Sequence, residues 1–208
     1  MATALITGAA HGLGACMAEH AARHGYRVGV LDLELGEARA VAERIDGVAL
    51  AADVTDEDAI EAALDELGDT PDLLINNAGI LRTGPLMDHS AADFRLVTDV
   101  NLNSVFIVGR AVARRMKDNG GGSIINTASF VASVGAATPQ VAYTASKGAV
   151  LSLTRTARKE YGSQGIRVLG LSPGTVATGM QSSIRASGIN PVSQLDPSAH
   201  IPPEWVAR

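Results

Sequence analysis

A chain of 208 residues, 46% hydrophobic and 19% charged, carries enough apolar material for a full core and is expected to form one domain over residues 1–208. Its net charge of -5 and the lack of any basic run longer than Arg114-Arg115 exclude the clustered positive footprint that nucleic-acid binding needs. One cysteine, Cys16, excludes an internal disulfide, and no uninterrupted apolar run nears the ~20 residues that span a bilayer. With strand-like residues already at Thr3 and no leader pattern before them, a cytoplasmic protein without a membrane partner is expected.

Short aliphatic runs then alternate with helical patterns. TALIT (3–7) reads as a first strand, with a helix to follow over residues 14–25. RVGVLD (27–32) precedes a helix over 35–45, GVALAA (47–52) one over 57–67, DLLIN (72–76) a long one over 91–118, and SIINTAS (123–129) one over 143–161; IRVLGLS (166–172) closes the series. Most of these strands are apolar nearly throughout, as in parallel strands covered on both faces, and the helical stretches are rich in Ala, Leu, Glu or Arg. Such alternation predicts an α/β fold with a doubly wound, mostly parallel sheet between helical layers, the Rossmann arrangement. From about residue 179 Gly, Ser, Pro and Asn thicken, and a substrate loop is expected over residues 179–203.

The first strand runs into TGAAHGLG, residues 7–14. Glycines at Gly8, Gly12 and Gly14 allow a sharp turn and a close approach of the backbone to a pyrophosphate, whose charge would meet the unpaired N–H groups opening the next helix. An ordinary glycine-rich turn is the plain alternative; the strand before it, the helix after it and its place in a βαβ unit favour a dinucleotide site. Asp32, followed by Leu33, ends the second strand about twenty residues past the loop, where a carboxylate accepts hydrogen bonds from the adenosine ribose and repels a 2′-phosphate. That favours NAD over NADP. His11, just before Gly12, leans the other way, and only when protonated.

The stretch YTASK places Tyr143 and Lys147 four apart, on one face of a helix. A nearby ammonium stabilises a phenolate, and bringing a tyrosine from ~10 to near neutrality takes roughly 3–4 kcal/mol. Lys147 and a positive nicotinamide ring are the expected sources. Tyr143 is then a candidate general acid/base. Ser129, fourteen positions earlier, is a candidate donor to the substrate oxygen. A solvated Tyr–Lys pair and a loop hydroxyl are the bland alternatives.

With these motifs in order, the sequence resembles the short-chain dehydrogenase/reductase family over nearly the whole chain, in the branch whose glycine loop reads T-G-x-x-x-G-x-G. Thr7, Gly8, Gly12 and Gly14 match that loop, which also holds His11 and Leu13. Asp53-Val54 matches the pair that holds the adenine in the family. NNAG, from Asn76 through Asn77 and Ala78 to Gly79, matches the motif that steadies the sheet centre and lines the cofactor cleft. PGTVAT, with Pro173, Gly174, Val176 and Thr178, matches the turn that in relatives touches the nicotinamide carboxamide. Asn101, Ser129, Tyr143 and Lys147 match the catalytic tetrad. The resemblance implies that Lys147 also bonds the nicotinamide ribose, and that Asn101 kinks its helix and holds a water in a proton relay with the lysine. It implies an NAD-dependent oxidoreductase interconverting a secondary alcohol and a ketone. It further implies a homodimer or homotetramer, paired through the helices at 91–118 and 143–161, where Ala145, Gly148, Ala149 and Ala157 permit close approach.

The alternatives are an NADP-dependent carbonyl reductase and a non-catalytic dinucleotide-binding scaffold; the intact Ser129, Tyr143 and Lys147 speak against the scaffold. Sugar-nucleotide epimerases share Tyr-x-x-x-Lys but usually read T-G-x-x-G-x-x-G, and enoyl reductases of the superfamily carry a longer Tyr-to-Lys spacing. Cys16, His20 and His24 fall at i, i+4 and i+8 and mimic a metal site, but no further ligand completes it nearby in sequence, so no metal is expected. The Ser129-to-Tyr143 spacing is about one residue longer than the commonest family pattern, which places a small insertion around GAATPQ (135–140). Candidate pocket walls are residues 79–88, 130–140 and 175–189, where Met87, Phe130, Val131, Val134, Met180 and Ile184 point to a modest-sized, partly apolar alcohol. PPEWVAR (202–208) begins like a helix yet ends too soon to offset its nucleation cost alone. Relatives continue into a closing helix and a strand beside IRVLGLS, so the 208 residues are expected to lack that pair.

Overall fold

The computed structural model of the chain describes residues 1–136, 139–180 and 200–208. Within them the apolar runs form β1 (Thr3–Thr7), β2 (Arg27–Asp32), β3 (Val48–Ala51), β4 (Leu73–Asn76), β5 (Gly122–Thr127) and β6 (Ile166–Leu171). The helices are α1 (Gly12–Arg23), α2 (Leu35–Ile45), α3 (Glu57–Leu67), α4 (Ala91–Thr98), α5 (Ser104–Asp118), α6 (Val131–Val134), α7 (Val141–Tyr161) and α8 (Pro203–Ala207). All strand pairs are parallel, in the order β3-β2-β1-β4-β5-β6. In register, Leu5 lies between Gly29 and Leu74, and β1 is buried along its whole length. That explains why TALIT shows no alternation: both of its faces are covered.

On one face Ala4, Ile6, Val28 and Val30 meet Met17 and Ala18 of α1 and Ala38 and Val41 of α2. On the other, Leu5, Leu50, Leu74 and Ile124 meet Ile60 and Leu64 of α3 and Val108, Val112 and Met116 of α5. The doubly wound three-layer fold expected from the sequence is present. Strand order reverses between β1 and β4, and such a switch point opens a crevice beyond the carboxyl ends of the strands.

The structure gives several local expectations a definite form. The helix over residues 91–118 is α4, a π-helical turn at Asp99–Asn103, and α5; π turns are rare and concentrate at functional sites, and this one buries Asn101 completely. Among the described residues Ala91–Asp118 is also long and apolar enough to cross a membrane, which a search for uninterrupted apolar residues missed. Val105, Val108, Val112 and Met116 bury one side of this stretch inside the fold, while Phe94, Leu96 and Phe106 are exposed. Of the small residues of α7, Ala145 is exposed, Gly148 and Ala149 are half-buried, with Gly148 facing the Ala132 carbonyl, and Ala157 packs against the core. β6 stands at the sheet edge with Leu169 47% exposed.

Candidate active site

β1 delivers the chain to the switch point. Gly8 and Gly12 take φ of 63° and 51°, a region that disfavours side chains. A Cβ on Gly8 would stand 2.8 Å from Ala78 Cα, and one on Gly14 would overlap the Gly8 carbonyl oxygen. Backbone therefore packs on backbone, leaving Gly12, Leu13 and Gly14 to line the cleft. N–H groups of a first helical turn lack intrahelical acceptors, and no acidic side chain occupies that turn of α1. The arrangement fits a pyrophosphate.

Two carboxylates border the cleft beyond β2 and β3. Asp32 accepts from Ala10 N at 3.0 Å through one oxygen and from Glu34 N at 3.4 Å through the other, which fixes its orientation while lone pairs remain free for a diol. Asp53 accepts the N–H and the hydroxyl of Thr55 at 2.9 and 2.7 Å, and Val54 is buried beside it.

Thr7 is tied into the turn after β4. Its hydroxyl accepts Asn77 N at 3.0 Å and Ala78 N at 3.1 Å, while Asn77 Nδ2 donates to the Thr7 and Gly8 carbonyls at 3.2 and 3.1 Å. Thr7 does not line the cleft; it ties the glycine loop to the turn after β4. Behind that turn, Asn76 Nδ2 donates to Asn126 Oδ1 at 2.9 Å, and Asn126 Nδ2 to Thr154 Oγ1 at 3.0 Å. This buried polar chain crosses from β4 through β5 to α7.

Asn101 also stands behind the wall rather than on it. Its Oδ1 accepts Ile80 N at 2.7 Å, and its Nδ2 donates to Ile80 O at 2.9 Å and to Ser146 Oγ at 3.2 Å. The neighbouring Gly79 packs closely here, since a Cβ on it would come within 3.3 Å of Asn101 Oδ1 and 3.6 Å of Lys147 Nζ. Asn101 thus sets how closely the turn after β4 approaches the lysine.

Lys147 is 3% exposed, donates from Nζ to Thr127 O at 2.7 Å, and lies over the Tyr143 ring, 5.8 Å from its centroid. Burial pushes the lysine down to about 8. Burial also pushes the Tyr143 phenol up, and a hydrogen bond with Ser129 pulls the other way without overcoming it. The expected depression of the phenol by Lys147 is therefore not supplied by the protein's own groups. The ammonium is engaged by a backbone carbonyl, and desolvation dominates. What results is a neutral phenol hydrogen-bonded to a serine, a group suited to donating a proton.

One cleft of about 790 Å³ gathers Gly8, His11, Gly12, Leu13, Gly14, Asp32, Leu33, Asp53, Val54, Asn77, Ala78, Gly79, Ser129, Tyr143, Lys147, Pro173, Gly174, Val176 and Thr178. Its size is within the usual range for cofactor sites. Of the catalytic and cofactor-binding residues expected from the sequence, only Thr7 and Asn101 stand outside its lining. Sequence reasoning missed Thr127, whose contribution is a carbonyl that no side-chain motif reveals, and Ser146, which joins Asn101 to the Tyr143 carbonyl. Met180 lines the cleft, whereas Met87 and Val134 are 95% and 74% exposed. Ile184, most of the 179–203 loop, and Ala137 and Thr138 of the suggested insertion lie outside the described residues. Cys16 Sγ lies 4.0 Å from Glu204 Oε1, and the His20 and His24 rings are 4.2 Å apart; among the described residues no three candidate ligands converge on a metal position.

The family model described as short chain dehydrogenase matches residues 2–188. The gluconate 5-dehydrogenase of Gluconobacter oxydans (strain 621H) is 40% identical over 195 residues, a match covering 89% of this chain and 75% of that protein. The D-threitol dehydrogenase of Mycolicibacterium smegmatis is 38% identical over 184 residues, covering 84% and 70%. A solved short-chain type dehydrogenase/reductase from Mycobacterium marinum has a TM-score of 0.90 at 31% identity, covering 99% of this chain and 85% of that one. The chain belongs to the short-chain dehydrogenase family, oxidoreductases that act on CH–OH groups with a nicotinamide dinucleotide.

Proposed function

We propose that the chain is an NAD-dependent dehydrogenase that interconverts a secondary alcohol and a ketone, with Tyr143 as the acid/base. The observation that carries this reading is the convergence of Ser129, Tyr143 and Lys147 on one cleft wall, with Asp32 and Asp53 at its other end. The fit to a dinucleotide rests on the glycine turn, whose crowded Cβ positions leave room only for backbone. Gly12 to Gly14 would hold the pyrophosphate, Asp32 the adenosine ribose, Asp53 and Val54 the adenine, and residues 173–178 the nicotinamide end. The bound nicotinamide supplies the hydride acceptor or donor.

In reduction, the Tyr143 hydroxyl gives its proton to the carbonyl oxygen while Ser129 donates a hydrogen bond to the same oxygen. In oxidation the phenolate takes the alcohol proton as the C–H bond breaks. Lys147, held by Thr127 O, keeps positive charge near the phenol and, on this reading, bonds the nicotinamide ribose. Asp32 repels a 2′-phosphate and so selects NAD. The relatives' names add a polyhydroxylated alcohol or sugar acid to the partly apolar alcohol expected from the sequence. A dimer through α5 and α7 and a soluble cytoplasmic setting belong to the same reading, as does a single domain over residues 1–208.

The test is to measure the dissociation constants of NAD and NADP near neutral pH, then follow reduced-nicotinamide absorbance with a panel of polyols and aldonates. NAD should bind at least tenfold more tightly and support turnover. Equal or tighter NADP binding would sink the cofactor assignment.

A further inference from the structure

The turn at residues 173–178 roofs the cleft, and its backbone is held from two sides. Phe130 N, next to Ser129, donates to Pro173 O at 3.1 Å. From the far side comes Ile201, which pairs with Val176 as an isolated parallel bridge. Ile201 N donates to Thr175 O at 2.8 Å, and Ala177 N donates to Ile201 O at 2.9 Å. The side chain takes part as well, since a Cβ on Gly174 would come within 3.0 Å of Ile201 Cδ1. Ile201 is itself anchored: Pro202 follows it, α8 comes next, and Val206 and Ala207 pack against the α1–α2 side of the core. The turn also reaches the opposite lip, because Thr178 Cγ2 lies 3.3 Å from where a Gly12 Cβ would be. One residue therefore links α8, which is seated on the helix that opens the pyrophosphate site, to the roof over the chemical end of the cleft.

We infer that Ile201 is a positioning residue for the nicotinamide half of the dinucleotide, acting through the Thr175 carbonyl and the Ala177 amide that it holds in place and through its side chain packed at Gly174. The inference rests on the reading that the cleft takes a nicotinamide dinucleotide with its nicotinamide end beneath residues 173–178. These two bonds and the side-chain contact tie the turn to the segment before α8, so a turn deprived of them would lose that restraint and could shift, carrying Gly174 and Val176 with it. Among the described residues, no hydrogen bond joins Asp32 or Asp53, which border the adenosine half, to this bridge. The effect should therefore be confined to one end of the ligand.

The experiment compares NADH with ADP, which occupies only the adenosine half, on wild type, Ile201→Pro, Ile201→Ala and Ile201→Val. Proline removes the N–H that Thr175 O accepts; alanine removes the packing on Gly174; valine keeps both the bond and a branched side chain. Loss of one such bond should raise the NADH dissociation constant about three- to tenfold in Ile201→Pro and lower kcat/KM, with ADP binding within twofold of wild type and Ile201→Val close to wild type. Ile201→Ala should fall between, and it decides the matter where the proline variant does not fold. Parallel weakening of NADH and ADP would mark a merely structural residue and overturn the inference. So would unchanged NADH binding in folded Ile201→Pro or, where that variant does not fold, in Ile201→Ala. If wild type binds ADP but not NADH, the cofactor reading falls and this inference falls with it, a pattern distinct from the other two.

Discussion

Replacing Asn101 by alanine removes the most heavily used buried side chain near the site. Asn101 is fully buried and makes three hydrogen bonds, two to the Ile80 backbone and one to Ser146. Ser146 keeps its own bond to the Tyr143 carbonyl at 2.8 Å, so the orphaned groups are the Ile80 N–H and C=O. Each unsatisfied buried polar group costs about 1–3 kcal/mol. Two give about 2–6 kcal/mol, and water entering the space left by the amide would recover part of it. Against a typical net stability of about 5–15 kcal/mol, Asn101→Ala should lose about 2–5 kcal/mol, read from urea midpoints at unchanged m-value. Asn101→Asp should also be destabilised, because it still accepts from Ile80 N but as a carboxylate has no proton for Ile80 O. Since Gly79 and Ile80 then loosen against Lys147, kcat should fall more than cofactor affinity. A loss below about 1 kcal/mol would refute the claim that this amide holds the wall.

Asp32→Ala should cost NAD affinity and narrow the preference over NADP by tenfold or more, measured by titrating both dinucleotides; an unchanged ratio would mean that selection lies elsewhere. Lys147 has its folded pKa lowered to about 8 by burial against an ordinary 10.5, so between those values the unfolded chain binds more protons and stability should rise with pH, by about 3 kcal/mol at most. Unfolding curves of wild type and Lys147→Met across pH 7–10 check this, since the methionine variant should lack the rise; Tyr143, raised by burial, adds its opposite loss only above about 10. Because that phenol stays neutral near pH 7, steady-state rates should show alcohol oxidation climbing with pH while ketone reduction does not.

Much of the fold was legible because parallel strands buried on both faces leave uninterrupted apolar runs, and β1 is an example. The glycine turn was legible for a steric reason, as Gly8 and Gly14 tolerate no side chain. The lysine and tyrosine were legible as neighbours on a helix, but their electrostatics were not. The direction of the Tyr143 shift depends on burial, which outweighs the hydrogen bond with Ser129. Asn101 was expected to interrupt its helix, and a π-helical turn lies there; the form of the interruption was not legible from a residue that is simply a poor helix former. Ile201 carries no motif at all, because it works through backbone atoms across a long stretch of chain.

The central claim is that Tyr143 transfers the proton in a dehydrogenase reaction run in this cleft. Its most direct test is Tyr143→Phe, assayed for both turnover and NADH binding on the best substrate of the wild-type panel. The variant keeps the ring beneath Lys147 and loses only the hydroxyl, so turnover should drop at least a thousandfold or so, within the range for loss of an acid/base, while the NADH dissociation constant stays within about threefold. Retention of a tenth or more of the wild-type rate, on a substrate whose oxidation is followed at the nicotinamide, would contradict the account.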